Sequence, residues 1–302
     1  MYNIPILLVF FNRPEKFKMV FDEIKKIKPT QLYLYQDGPR LNNQCDIEKI
    51  RLCREIIQDI DWECEIHTLF QEQNVGCDPS GYKAHSWFFS NVDYGIVLED
   101  DCVPSSGFFD LCEYALPKYK NDDRISMISG MNLLGLSKKI EYPYFFSAHG
   151  GIWGWASWAR FYKLCDPSYK WLDNKILVRE IVNDFSTKSE ARKFITLAKK
   201  RRKEGIPYFE TMIYAAARSR HMLEIIPTGN TIMNVGVGSG AHTNDEFEKM
   251  SRFEKRFYFQ KTYPFNPPLS DVPVVRNRRY EREILMSFYD KLMIRLNKLL
   301  RR

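Results

Sequence analysis

A five-residue apolar run, Tyr94-Gly-Ile-Val-Leu98, passes directly into three acids, Glu99, Asp100 and Asp101. This junction constrains the fold more than any other stretch. An unbroken apolar run reads as a strand buried on both faces, the kind that parallel sheets are made of. Three adjacent carboxylates repel one another and resist ionisation. A divalent cation among them removes the repulsion, and hard cations take carboxylate oxygen. Ligands of open α/β sheets bind at the C-terminal ends of strands. The junction therefore predicts a metal site that holds phosphate. The plainer alternative is an acidic loop on a solvated surface.

Other segments agree with a sheet of this kind. Residues 4–11 form a continuous apolar run that Asn12-Arg13-Pro14 breaks, and Pro14 suits the first turn of a helix. Phe17, Val20, Phe21 and Ile24 then recur at helical spacing. Residues 31–35 read as a second strand, ending in the turn signature Gln36-Asp37-Gly38-Pro39. A helix over 46–60, a strand over 65–70, a helix over 81–91 and the strand over 94–98 follow. Strand and helix alternating at this spacing predict an α/β fold, a mostly parallel central sheet flanked by helices. The second half is less regular. Strands are expected at 126–129, 143–146 and 223–227, with helix over most of 174–204. Residues 150–158 are rich in glycine and tryptophan, and 229–240 read as a loop. Residues 263–274 carry four prolines and read as a connector, before a final helix over about 278–300. The division expected is 1–262 as one catalytic domain, with halves at about 1–125 and 126–262, and 263–302 as a C-terminal extension.

A parallel sheet brings three strand ends to one edge. They offer a cation, Arg13, an acceptor carboxylate, Asp37, and the acid cluster, a set that suits a nucleoside diphosphate. Each has a duller reading: Arg13 as a surface residue at a helix start, Asp37 as the shaper of a turn. Neither GxGxxG nor GxxxxGK[ST] occurs. Sugar nucleotidyltransferases, a rival reading, carry a glycine-rich loop after the first strand, and here that loop is Phe-Asn-Arg-Pro-Glu. A non-catalytic nucleotide- or glycan-binding module is a second rival.

Several segments in this order resemble the GT-A fold glycosyltransferases, in particular the N-acetylglucosaminyltransferase I-like branch and bacterial family 2-like enzymes. The segments are ILLVFFNR (6–13), YLYQDG (33–38), LEDD (98–101), GIWGW (151–155), PYFETM (207–212) and NTIMNVGVGSGAH (230–242). The resemblance implies a metal-dependent inverting transfer of a sugar from a UDP-sugar to a glycan or lipid-linked glycan. Arg13 and Asp37 would hold the uridine. Asp101 would bind Mn²⁺ or Mg²⁺, Asp100 the ribose or metal-bound water, and Glu99 the donor sugar. Glu210 would take the acceptor proton as general base, with Glu204 as an alternative. Gly151 and Trp153 would line the sugar pocket, glycine permitting close backbone approach. His242 would contact phosphate or metal from a closing loop. Lys83 and His85 reach the nucleotide or lie on a solvated helix face.

The net charge is +7, but residues 276–302 hold nine Lys and Arg against three acids, so the rest is nearly neutral. That excludes a whole-protein nucleic-acid footprint and leaves a basic tail. In the tail Leu285, Phe288, Leu292, Leu296 and Leu299 recur at helical spacing. Such a basic amphipathic helix lies on anionic membrane surfaces, or docks on the enzyme or a second copy. The seven cysteines form no CxxC pair, which argues against a zinc ribbon. No basic leader precedes the first strand and no apolar run reaches 18 residues, so a cytoplasmic protein, peripheral on the inner membrane face, is expected.

Overall fold

The computed structural model describes residues 1–237, 250 and 255–285. Its first half is built as the sequence predicts. Strand β1 (Ile6–Phe10) leads to α1 (Pro14–Ile27), β2 (Gln31–Gln36), α2 (Gln44–Ile57), β3 (Glu65–Phe70), α3 (Cys77–Asn91) and β4 (Tyr94–Glu99). The remainder is β5 (Cys102–Pro104), α4 (Ser106–Lys118), β6 (Ile125–Ser129), β7 (Tyr144–Ser147), β8 (Trp155–Trp158) and α5 (Ala159–Tyr162). After these come α6 (Lys175–Asp184), α7 (Lys188–Glu204), α8 (Phe209–Arg218), β9 (Leu223–Pro227) and β10 (Ile232–Asn234).

Eight strands form one sheet in the order β3-β2-β1-β4-β8-β6-β9-β7. Neighbours among β3, β2, β1 and β4 are parallel, as are β6 and β9. Strand β8 runs antiparallel to both β4 and β6, and β7 antiparallel to β9. Alternate residues of β1 explain the layers. Ile6, Leu8 and Phe10 pack on one face with Phe17, Val20, Phe21 and Phe108 from α1 and α4. Leu7 packs on the other with Phe88, Trp155 and Phe209 from α3, β8 and α8. Both faces are covered at the centre of the sheet, so β1 is apolar throughout, whereas the edge strand β3 is largely exposed and carries polar residues.

The order carries one consequence for ligands. The chain goes from β1 to β2 and β3 on one side, then returns through α3 to β4 on the other side of β1. The C-terminal ends of β1 and β4 thus flank a topological switch point, where open α/β sheets leave a crevice.

Several expectations are corrected. Residues 155–158, read as part of a pocket-lining loop, form β8, with Trp155 and Trp158 each 1% exposed. Residues 232–234, read as loop, form β10, which pairs antiparallel with β5. The helical stretch over 174–204 is two helices, and the second begins at a capping box between Thr187 and Glu190. The final helix starts at 278 and is described through 285; there Tyr280 and Ile284 are buried against Phe145 and Ile226. The remainder of the expected amphipathic helix lies outside the described residues.

Candidate active site

The acids after β4 are fixed by the backbone. The Asp100 amide donates to the Val9 carbonyl at 3.0 Å, continuing the parallel ladder one residue past the end of β4. This places Asp100, 2% exposed, beside the residues that follow β1. Arg13, the residue before α1, lies across from it. Its Nε donates to Asp100 Oδ2 at 3.2 Å and its Nη2 to Asp100 Oδ1, while Nη1 donates to Asp101 Oδ2 at 2.9 Å. One guanidinium therefore forks onto two carboxylates, the geometry that favours arginine over lysine. Burial works against the Arg13 charge, but Asp100 and Asp101 outweigh it and hold the guanidinium more firmly protonated than usual.

One guanidinium does not neutralise three acids. Burial first, and then the charges of Asp101 and Asp100, push the Glu99 carboxyl up to about 8. Burial also raises Asp100, partly offset by Arg13. The mutual repulsion expected from the sequence is present in the fold.

The donor set fits a hard divalent cation. Ligand atoms of Glu99, Asp101 and Cys102 lie within 4.8 Å of one another. Burial and the neighbouring acids raise the Cys102 thiol well above its ordinary range, which leaves the two carboxylates as the groups that would hold the cation. The surroundings of Asp101 are held by β10: the Val235 amide donates to the Asp101 carbonyl at 2.8 Å. Just beyond, a side chain on Gly236 would put its Cβ 2.4 Å from Asp101 Oδ2. Only glycine lets this strand pass so close to the carboxylate.

Lys16 is a site residue that sequence reasoning missed. It lies three residues after Arg13, on the same side of the first turn of α1. Its Nζ donates to the Val237 carbonyl at 2.9 Å, and burial together with the Arg13 charge lowers its pKa. The spacing Arg-x-x-Lys at a helix start was the available signal. Cys77 was also missed. It opens α3 at the surface, within electrostatic range of Glu99.

Asp37 stands at the end of β2 with both oxygens engaged. Oδ1 accepts from the Gly38 and Val75 amides at 2.9 and 3.0 Å; Oδ2 accepts from Asn74 Nδ2 and the Gly76 amide at 2.9 and 3.1 Å. It ties the turn after β2 to the segment that enters α3. Lys83 donates to Gln71 on the surface at 3.2 Å. His85 is 1% exposed, edge-on to Trp155 and Phe209, and burial lowers its pKa to about 3. It is a neutral ring within the packing of α3, β8 and α8.

Gly151 caps the end of β6, its amide donating to Ser129 Oγ at 3.1 Å. Trp153 lies tilted against Tyr258, ring centroids 5.2 Å apart and planes at 43°. Glu210 is exposed in the first turn of α8, and its charge contributes to the raised pKa of Glu99. One turn later the Tyr214 hydroxyl donates to the Gly150 carbonyl at 3.2 Å. The fold thus brings Arg13, Glu99, Asp100 and Asp101 together, with Glu210 within electrostatic range. His242 lies outside the described residues.

No protein-family model matches the chain, and no curated protein matches it. Among solved structures it is similar to HddC from Yersinia pseudotuberculosis, alone and complexed with GMP-PN. Each of these shows 9% identity and a TM-score of 0.30, over 52% of this chain and 77% of that one. It is also similar to 4-diphosphocytidyl-2C-methyl-D-erythritol synthase from Anaerococcus prevotii DSM 20548. There the identity is 9% and the TM-score 0.34, over 73% of this chain and all of that one. At these values the likeness concerns the general layout of the strands and carries no reaction with it. The expectation of a UDP-sugar-dependent inverting glycosyltransferase is nevertheless overturned. The finding that stands against it is the likeness to a 4-diphosphocytidyl-2C-methyl-D-erythritol synthase, which sits closer to the rival nucleotidyltransferase reading. The chemistry below rests on the rim itself. No helix among the described residues is long and apolar enough to cross a membrane.

Proposed function

We propose that the rim between β1 and β4 binds the phosphates of a nucleotide through a divalent cation and transfers a nucleotidyl group to a phosphorylated, sugar-like acceptor. The observation that carries this reading is the Glu99–Asp101 carboxylate pair at the switch point, facing Arg13. In the reaction an acceptor phosphate oxygen attacks the α-phosphorus of a nucleoside triphosphate. The bond from the α-phosphorus to the bridging oxygen breaks, and pyrophosphate leaves with the electron pair.

Glu99 and Asp101 would hold the cation, which when bound neutralises phosphate oxygens and polarises the phosphorus. Arg13 and Lys16 flank the acids from the first turn of α1. They supply positive charge where the leaving pyrophosphate gains negative charge. An acceptor phosphate is already anionic at neutral pH, so the step needs no general base, and Glu210 has no required part in it. The first loop lacks the glycine-rich cradle of sugar nucleotidyltransferases; in this reading Arg13 and Lys16 take over its work on the phosphates.

The test is pyrophosphate release by the full chain with Mg²⁺ or Mn²⁺, each of the nucleoside triphosphates and a panel of sugar 1-phosphates. Release with one nucleotide, reduced about 10²-fold or more in Asp101→Asn, is the expected result. No release with any nucleotide, or release unaffected by Asp101→Asn, would end the proposal.

A further inference from the structure

A second cleft, mostly apolar with two arginines at its wall, opens on another part of the surface, between the turn at 167–169 and the C-terminal end of α7. It has a volume of about 450 Å³ and shares no lining residue with the rim. Its walls are Pro167, Tyr169, Gly205 and Pro207, and its charge comes from Arg201 and Arg202.

Three features mark it as more than a surface dent. The Arg201 guanidinium lies over the Tyr208 ring, 3.1 Å from the centroid, and its Nε is buried with no hydrogen-bond partner among the described residues. A buried donor without an acceptor is costly, and a swing of the guanidinium off the Tyr208 ring would offer it to an anion in the cleft. Tyr169 holds φ 54°, the left-handed region that a bulky residue rarely adopts. That conformation is fixed by its hydroxyl, which accepts from the Tyr208 amide at 3.1 Å. Finally, the local charge is one-sided. Residues 199–203 are Lys-Lys-Arg-Arg-Lys, followed by the single acid Glu204. Glu204 is shared between Arg201 at 3.4 Å and Lys200 at 3.7 Å, and among the described residues Arg202 pairs with the exposed Asp173 at 2.8 Å. Exposed pairs of this kind are weak and yield readily to a better anion.

We infer that this cleft is a site for a small phosphorylated ligand of about sugar-phosphate size. Arg201 Nε and the Arg202 guanidinium donate to the phosphate, and the carbon skeleton lies against Pro167 and Pro207. The volume falls within the range of small-ligand sites, and paired guanidiniums are the usual partners of phosphate. The site is independent of the rim and needs no metal.

Isothermal titration of the full chain in EDTA, with glucose 6-phosphate, inorganic phosphate and unphosphorylated glucose, tests it. Saturable binding of both phosphates but not of glucose is expected. Arg201→Gln should weaken it about tenfold or more, Arg202→Gln should weaken it as well, and Arg13→Gln should leave it unchanged. Far-UV circular dichroism checks each variant; if Arg201→Gln does not fold, the more exposed Arg202→Gln decides. Absence of saturable binding, equal affinity in the arginine variants and wild type, or loss confined to Arg13→Gln would overturn the inference. The last outcome would place the anion at the rim.

Discussion

Glu99→Gln isolates the electrostatic tension on which the rim depends. In the folded protein the Glu99 carboxyl titrates near 8, against an ordinary value of 4.5, through burial and the charges of Asp101 and Asp100. Below pH 4.5 both folded and unfolded chains carry the proton, and the group has no effect on stability. Between 4.5 and 8 the unfolded chain loses the proton while the folded chain keeps it, so stability falls as pH rises and levels off above 8. At ~1.4 kcal/mol per pH unit the full interval corresponds to at most ~5 kcal/mol. Glu99 keeps some access to water, so about 2–3 kcal/mol is the expected cost at pH 8.5. Glutamine keeps the shape and is neutral throughout. Urea denaturation in EDTA at pH 5, 6, 7 and 8.5 should therefore show the variant equal to wild type at the acid end and increasingly more stable toward the alkaline end. Taking the difference between the two proteins at each pH cancels the other titrating groups. MnCl₂ should narrow the gap at pH 8.5 by stabilising the wild type alone. The argument fails if the gap does not widen with pH, or if the variant is the less stable protein at pH 8.5.

Three further outcomes follow from the same geometry. Gly95→Ala would place a Cβ 2.3 Å from Phe88 Cζ and 2.8 Å from the Pro5 carbonyl, so chemical denaturation should show a loss of about 1–3 kcal/mol from overpacking. Gly236→Ala would set a Cβ 2.4 Å from Asp101 Oδ2; calorimetry should show Mn²⁺ binding weakened about tenfold, with circular dichroism unchanged. Arg276→Ala removes the arginine on buried Glu281 at 2.9 Å and one of two on buried Asp184, where Arg218 remains at 2.9 Å, and denaturation should show a loss of about 3 kcal/mol.

The sheet's first half was legible because β1 and the central residues of β2 and β4, 32–35 and 95–98, are covered on both faces and carry no charged or amide side chain. The acids after β4 were legible for the opposite reason, since no packing requirement explains them. Strands β8 and β10 were not legible. They are four and three residues long, and each is a strand only because a partner, β4 and β6 for one and β5 for the other, supplies its hydrogen bonds. Trp155 and Trp158 look like stacking residues in a glycine-rich stretch, but the pairing with β4 and β6 buries them in the core. Asp37 shows a different limit. Its place at a strand end was readable, but the four donors that converge on it come mainly from residues 74–76, which no local pattern connects to residue 37. The switch point was invisible too, because strand order is set by which way each crossover turns and not by any one strand.

The charge balance at the rim joins these observations. Three acids and one guanidinium meet where the sheet reverses its order, and the fold accommodates the imbalance by leaving Glu99 protonated at neutral pH. On the proposed reading, an arriving divalent cation brings two positive charges, which lets Glu99 ionise and weakens the hold of Asp101 on Arg13. The guanidinium is then available to phosphate at the moment phosphate arrives with the cation. Neither half works alone. Without the cation Arg13 is bound to its own carboxylates, and without Arg13 the buried Asp100 loses its countercharge and keeps the Phe11 amide at 3.4 Å. The raised carboxyl and the bidentate pair are thus two sides of one device, and cation and nucleotide should bind more tightly together than either does separately.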